Sequence, residues 1–314
     1  MIPRRAPLAL LAFALIAAAC SSSGASTGAS ATPDLSAWGP PKTTPILVPF
    51  LVTNAVPPGK SRIMMLYLDA ANRVMSAPDR TVKVAFYDLD RDPSKVVTTA
   101  DGAFVWTIEG ERGMYVLDVD LPQAGTWGAE FTTAAPGSVA ETVRLTFPVR
   151  SEVPTIRVGQ PSPASKTPTA ADVGGDLSKI STDQKPDPVF YQTSVADALA
   201  AHKPFMLVFA TPKFCASAQC GPTLDQFKPI AAGHPEVTFI NVEPYKLQLV
   251  DGALQPILDA KNQLQATEIT DQWGLLSEPW IFAVDRAGIV RGSYEVTITP
   301  GELEAILPVI TAGG

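Results

Sequence analysis

Short apolar segments with strand-like alternation fill the chain between residues 45 and 150. Runs of Gly, Pro, Asn and Asp separate these segments and are typical of turns. The pattern predicts seven strands, at residues 46–53, 62–69, 81–89, 103–109, 114–120, 128–133 and 141–149. Seven short strands at this spacing predict an all-β sandwich over residues 45–150.

A different pattern begins at residue 189, where strand-like and helix-like segments alternate. The apolar run 205–209 has the length of a fully buried strand, and the polar stretch 243–272 predicts one or two helices. The remaining expected elements are helices at 194–202, 223–232 and 299–310 and strands at 237–242, 280–285 and 289–294. This alternation predicts an α/β domain over residues 189–314. The expected fold class is therefore multidomain, with an N-terminal all-β sandwich and a C-terminal α/β domain.

Two segments lack either pattern and are predicted to connect the folded parts. Residues 20–44 are rich in Ser, Ala, Gly, Thr and Pro, which predicts a flexible tether. Residues 151–188 contain many prolines, which predicts an extended, semi-rigid linker.

The composition is that of a globular protein with room for about two domains. The chain has 314 residues, of which 46% are hydrophobic and 18% are charged. Its net charge is −7, and the one basic cluster is the pair Arg4 and Arg5. This balance disfavours nucleic acid as a partner.

The N-terminus has the pattern of a secretory signal over residues 1–19. Two arginines precede an apolar core that is too short to span a membrane. Three alanines then lead into Cys20, and this sequence resembles the lipobox of bacterial lipoproteins. The resemblance implies that Cys20 is lipidated and anchors the mature protein on the extracytoplasmic face of the cell membrane. Cleavage near Ala19 without lipidation is the alternative.

Two cysteines remain if Cys20 is lipidated, and they are Cys215 and Cys220. Disulfides persist outside the cytoplasm, so we expect these two residues to be bonded. Residues five apart on an α-helix are separated by ~7.5 Å of rise and ~140° of rotation. A disulfide needs Cα atoms within about 7 Å. Cys215 is therefore expected in a loop folded back towards Cys220, with the helix beginning near Pro222.

Two segments carry a resemblance to the thioredoxin-like superfamily, which covers roughly residues 189–312. The first is Phe-Ala-Thr-Pro-Lys-Phe-Cys at 209–215, and the second is Trp-Gly-Leu-Leu-Ser-Glu-Pro-Trp-Ile-Phe-Ala-Val-Asp-Arg-Ala-Gly at 273–288. The resemblance implies a thioredoxin-like α/β domain in which Pro279 is a cis-proline facing the cysteines. It also implies thiol–disulfide exchange, with protein thiols or disulfides as partners and Cys215, Cys220 and Pro279 in the catalytic site.

The cysteine spacing departs from that family, because four residues separate the cysteines here and two separate them in the usual motif. Two assignments of the attacking sulfur stay open. The distance from the preceding strand favours Cys215. Cys220 lies nearer the helix N-terminus, where free N–H groups favour a thiolate.

The sandwich region carries a resemblance of its own. Residues 113–118 and 124–127 look like a late hairpin of immunoglobulin-like bacterial modules, which implies an immunoglobulin-like sandwich. The aromatic residues Tyr115 and Trp127 are predicted to lie in its core.

These observations together favour an extracytoplasmic, membrane-anchored lipoprotein that exchanges disulfides. Two alternatives stay open: a non-catalytic binding lipoprotein with a structural disulfide, and a copper-delivery module using two thiolates. Copper chaperones with the thioredoxin-like fold add a late histidine ligand, whereas His202 and His234 both precede Pro279. We therefore expect no metal and no cofactor.

Overall fold

The computed structural model describes residues 33–312, in which fourteen β-strands and four α-helices form. The N-terminal half contains eight strands: β1 Val48–Leu51, β2 Gly59–Leu68, β3 Thr81–Asp88, β4 Val96–Asp101, β5 Ala103–Ile108, β6 Arg112–Leu121, β7 Gly125–Ala134 and β8 Glu141–Val149. The other elements are α1 Val195–Ala200, β9 Phe205–Phe209, α2 Cys220–Gly233, β10 Thr238–Val242, β11 Leu247–Val250, β12 Ala253–Pro256, α3 Glu268–Trp273, β13 Trp280–Val284, β14 Val290–Glu295 and α4 Pro300–Ala312.

The first eight strands form two four-stranded antiparallel sheets, with orders β1-β2-β6-β5 and β4-β3-β7-β8. Alternating side chains of each sheet enter a shared core, as in β3, where Val82, Val84 and Phe86 are buried. Tyr115 and Trp127 are fully buried in this core. The period-two pattern of the sequence therefore gives each sheet one apolar face, and the apolar faces of the two sheets pack against each other.

The outer face of the first sheet is also covered. Met64, Leu66, Met114 and Val116 are buried there and pack against Val296, which follows β14 in the C-terminal half. An ion pair between the Arg62 guanidinium and the Glu302 carboxylate, 2.5 Å apart, links β2 to α4 beside this contact. The two halves of the described chain are thus joined by apolar packing and by charge.

The C-terminal sheet has the order β10-β9-β13-β14. β9 lies at its centre, and all five of its side chains are fully buried because both faces of the sheet are covered. Met206 and Val208 point to a core that includes Phe227 of α2, while Phe205 and Phe209 belong to a second core on the opposite face. The carboxyl end of β9 leads directly into residues 210–219, the cysteine turn, which carries Cys215 and ends at Cys220 of α2.

The predicted fold class, an all-β sandwich followed by an α/β thioredoxin-like domain, is wrong. The described chain is mostly β, with strands in four sheets and four α-helices of 6 to 14 residues. Within residues 33–312 the ladder between β9 and β10 is the one parallel ladder, and the others are antiparallel. An α/β domain is instead built from strands alternating with helices around a mainly parallel sheet.

The segment 243–272 accounts for part of this difference. It was expected to hold one or two polar helices, but it begins with the antiparallel hairpin β11–β12, and its only α-helix is the start of α3. Asp251 and Gly252 form the hairpin turn, and both have positive φ, 50° and 78°. Asp-Gly between two short apolar runs is a strong hairpin signal, so this part of the segment predicts a hairpin better than it predicts a helix.

Residues 151–188, predicted as a linker, lie along the C-terminal sheet in part. The backbone N–H of Gly159 donates to the carbonyl of Val290 at 2.8 Å, and that of Val290 donates to Gln160 at 2.9 Å. The predicted domain boundaries stay predictions. None of the helices within residues 33–312 is both long and apolar enough to cross a membrane.

Candidate functional site

Cys215 and Cys220 form a disulfide with their Cα atoms 6.0 Å apart. Cys215 lies in the turn after β9, and Cys220 is the first residue of α2. The expectation that Cys215 lies in a loop folded back towards Cys220 is confirmed. The helix begins two residues earlier than Pro222, since Cys220 and Gly221 are already helical.

The two sulfur-bearing residues differ in exposure. Cys220 is fully buried in the core beneath the helix, whereas Cys215 is half-buried and reaches the surface. An incoming thiol must approach the sulfur in line with the S–S bond, so access decides which sulfur is attacked. Cys215 is therefore the more accessible residue of the pair.

Two donors surround the Cys215 sulfur. The backbone N–H of Cys220 donates to it at 3.3 Å, and the hydroxyl of Ser217 lies 3.3 Å from it. Hydrogen bonds to a sulfur favour its negatively charged form over its neutral form. The arrangement can therefore stabilise a thiolate at Cys215 after reduction.

The loop before β13 lies against the cysteine turn. The backbone N–H of Ala216 donates to a Glu278 carboxylate oxygen at 3.2 Å. The Glu278 carbonyl oxygen lies 3.4 Å from the Ser217 hydroxyl, which holds a single proton and donates it to this oxygen only when it does not donate to the Cys215 sulfur. The peptide bond between Glu278 and Pro279 is cis. Pro279 thus follows a residue that contacts the cysteine turn directly, and the catalytic role that the resemblance gave to Pro279 stays a prediction.

Glu278 is itself held by a tyrosine. The hydroxyl of Tyr245 donates to the second carboxylate oxygen of Glu278. Burial, together with the adjacent Glu278 carboxylate, raises the pKa of Tyr245 above its ordinary range, so the phenol stays protonated as a donor. Neither residue is predicted from the sequence as part of the site: Glu278 only precedes Pro279 in the segment 273–288, and Tyr245 falls in the segment predicted to be helical.

The sandwich supplies one wall of the cysteine turn. An Arg112 guanidinium nitrogen donates to the Ser217 carbonyl at 2.7 Å, and the side-chain amide of the buried Gln219 donates to the Thr107 carbonyl. Thr107 and Arg112 belong to the β5–β6 hairpin. The turn between the cysteines is therefore fixed from outside the C-terminal half.

The two histidines that were considered as metal ligands do not lie at this site. The Nδ1 atom of His234 pairs with Glu236 at 2.9 Å on the surface, and His202 is an exposed residue with a positive φ of 50°. Among residues 33–312, no three His, Cys, Asp or Glu side chains are grouped so that they could hold a metal ion. Cys20, the predicted lipidation site, lies outside the described residues.

Comparison with known proteins adds little to this picture. No protein-family model matches the sequence, and no curated protein matches it. One solved structure with a partial likeness is a DUF4426 family protein of Pseudomonas aeruginosa PAO1, at 13% identity and a TM-score of 0.21. The aligned region covers 29% of this chain and 65% of that one, so this chain spans less than two thirds of that protein. A TM-score this low carries no argument about fold or function.

Proposed function

We propose that this protein is a thiol–disulfide oxidoreductase that exchanges disulfides with other proteins through Cys215 and Cys220. The observation that carries the proposal is the asymmetry of the pair, with a half-buried Cys215 bonded to a fully buried Cys220 at a helix start. The likeness of residues 209–215 and 273–288 to segments of thioredoxin-like proteins supports the same chemistry. A purely structural disulfide requires no such difference in access.

The proposed reaction uses the two cysteines in sequence. In the reduced protein, the Cys215 thiolate attacks a substrate disulfide, an S–S bond forms between protein and substrate, and one substrate sulfur leaves as a thiolate. The Cys220 thiolate then attacks the Cys215 sulfur, which re-forms the internal disulfide and releases the second substrate sulfur. Two electrons pass from the protein to the substrate, and the leaving thiolates take up protons from water. Substrate oxidation runs through the same steps in reverse.

The residues around the pair have separate tasks in this scheme. The Cys220 N–H and the Ser217 hydroxyl stabilise the Cys215 thiolate, both as attacking group and as leaving group. Glu278 and the β5–β6 hairpin hold the turn in place through Ala216 and Gln219. A fixed turn keeps the two sulfurs within bonding reach, which speeds resolution of the mixed disulfide.

We also propose that the protein acts on the extracytoplasmic face of the membrane, anchored through Cys20. The signal-like N-terminus and the resemblance to a lipobox support this location. A lipid anchor restricts the protein to partners at the membrane surface. One acyl chain alone binds membranes only weakly, so we expect the lipid on Cys20 to be a diacylglycerol, which carries two chains.

The test is a measurement of the reduction potential of the pair together with its exchange rate against a disulfide-bonded peptide. The full chain with Cys20→Ser serves, because it keeps only the two cysteines of the site. We expect exchange with the peptide and a potential above about −300 mV. A potential below that value with no exchange would establish a structural disulfide. Loss of both thiols at a fixed ratio of added Cu(I) would favour the metal-delivery alternative.

A further inference from the structure

A second concave site lies where the sandwich, residues 153–160 and strand β14 meet. It encloses about 340 Å³, which is within the range of small-molecule sites. Apolar side chains form much of its wall, and they are Val56, Pro57, Pro58, Val153, Ile156 and Trp280. None of these residues contributes to the cysteine site.

Three cations border this cavity: Lys60, Arg62 and Arg157. Arg62 is held by Glu302 through two hydrogen bonds, of 2.5 Å and 3.1 Å. Neither Lys60 nor Arg157 has a carboxylate within ion-pair distance among residues 33–312. The chain as a whole carries a net charge of −7, whereas three cations and one carboxylate, Glu295, line this cavity.

One acidic residue, Glu295, also borders the cavity, but its carboxylate already has partners. It accepts hydrogen bonds from the backbone N–H of Asn54 at 3.2 Å, from the Asn54 side-chain amide and from the Ser277 hydroxyl at 2.7 Å. Burial raises its pKa, and both of its oxygens are already occupied by these donors. Lys60 and Arg157 are therefore available to an incoming anion.

We propose that this cavity binds a small organic carboxylate with a compact apolar or aromatic body. Lys60 and Arg157 contact the carboxylate, and the apolar body packs against Trp280 and Ile156. An inorganic anion would satisfy the two cations but would leave the apolar wall facing water. A neutral apolar molecule would pack against the apolar wall but would leave the two cations without a partner. Binding at this site is independent of the disulfide chemistry.

The test is a titration of the full chain with 3-phenylpropionate, followed by calorimetry and by the intrinsic tryptophan fluorescence, to which Trp280 and four other tryptophans contribute. We expect saturable binding at one site, with the neutral amide 3-phenylpropionamide at least about tenfold weaker. Inorganic phosphate is also expected to bind more weakly than the carboxylate. Equal binding of the amide, stronger binding of phosphate, or no saturable binding of the carboxylate would each overturn the proposal.

A pair of matched variants assigns the binding to this cavity. Lys60→Gln combined with Arg157→Gln removes two exposed cations at the cavity, and we expect it to weaken 3-phenylpropionate binding about tenfold. Lys42→Gln combined with Lys83→Gln removes two exposed cations elsewhere and should change binding less than about twofold. Both variants should melt at the wild-type temperature, since all four side chains are exposed. Equal weakening by the two variants would show general charge attraction and would contradict a site here.

Discussion

The backbone N–H of Cys220 donates to the sulfur of Cys215 across 3.3 Å. The first residue of helix α2 therefore directs a free N–H group at the more exposed sulfur of the disulfide. The positive end of the helix dipole adds to this interaction, because it favours negative charge at the same place. The four-residue separation of the cysteines thus leaves Cys215 off the helix but within reach of its N-terminus.

The Ser217 hydroxyl is the second donor at that sulfur, and its removal should lower the reactivity of reduced Cys215. We expect Ser217→Ala to slow alkylation of Cys215 by iodoacetamide at pH 7 by about threefold to tenfold, since one hydrogen bond to a thiolate is lost. The measurement is the rate of labelling followed by mass spectrometry. Ser151→Ala, at an exposed serine, serves as the control and should leave the rate unchanged. An unchanged alkylation rate in Ser217→Ala would contradict a role for the Ser217 hydroxyl in stabilising the Cys215 thiolate.

The hydrogen bond between Tyr245 and Glu278 should contribute to stability. Tyr245→Phe leaves one carboxylate oxygen of the buried Glu278 without its partner, and we expect a loss of about 1–3 kcal/mol in the free energy of unfolding. Urea denaturation measures this loss. Tyr294→Phe is the matched control, because the Tyr294 hydroxyl makes no hydrogen bond to residues 33–312, and it should cost less than about 1 kcal/mol. Equal losses in the two variants would contradict a specific role for the pair.

The buried carboxyl of Glu243 should make stability depend on pH. One of its oxygens accepts from the Thr182 N–H at 2.6 Å, and the other has no hydrogen-bond partner in the described part of the chain. Burial raises the pKa of Glu243 above its ordinary value of 4.5. Its contribution to stability is therefore complete below pH 4.5 and is lost as the pH rises through the raised folded-state value.

Replacement of that carboxyl by an amide tests this linkage. We expect Glu243→Gln to be more stable than the wild type at pH 8 by about 1 kcal/mol, with the difference shrinking as the pH falls towards 4. Thermal unfolding across this pH range is the measurement, and Glu304→Gln at an exposed position is the control. A stability difference between the two proteins that grows on acidification would contradict the predicted direction of the pH dependence.

The proposed anchor at Cys20 can be tested separately from the redox chemistry. In cells of a bacterium that processes lipoproteins, we expect the wild-type chain to partition into the detergent phase on Triton X-114 extraction. Cys20→Ser should move to the aqueous phase, because the lipid attachment point is lost. Partitioning of both proteins into the aqueous phase would contradict the lipoprotein assignment without affecting the disulfide proposal.

The sequence indicated those parts of the fold that have a strong local signal. The apolar run 205–209 corresponds to β9, Phe205–Phe209, because five consecutive buried side chains need a strand covered on both faces. Strand β4 was missed, since it lies at a sheet edge with Val96 and Val97 exposed and shows no buried alternation. The Asp251-Gly252 pair is a local signal for the β11–β12 hairpin, whose turn it forms.

The surroundings of the disulfide could be predicted only in part. The positions of Cys215 and Cys220 followed from the reach of a disulfide, which is a local constraint. The contacts of Gln219 with Thr107 and of Arg112 with Ser217 join residues more than 100 positions apart. Such contacts depend on how the sandwich packs on the C-terminal half, and no spacing within either segment encodes that packing.

The most direct test of the central claim is the trapping of mixed disulfides by single-cysteine variants. The full chain carrying Cys20→Ser is combined with either Cys220→Ser or Cys215→Ser and incubated with a disulfide-bonded protein substrate. The proposed mechanism predicts a stable covalent adduct through Cys215 in the Cys220→Ser variant and little adduct in the Cys215→Ser variant, because Cys220 is buried. Adducts of equal yield would contradict the assigned nucleophile, and the absence of adducts in both variants would contradict the proposed exchange reaction.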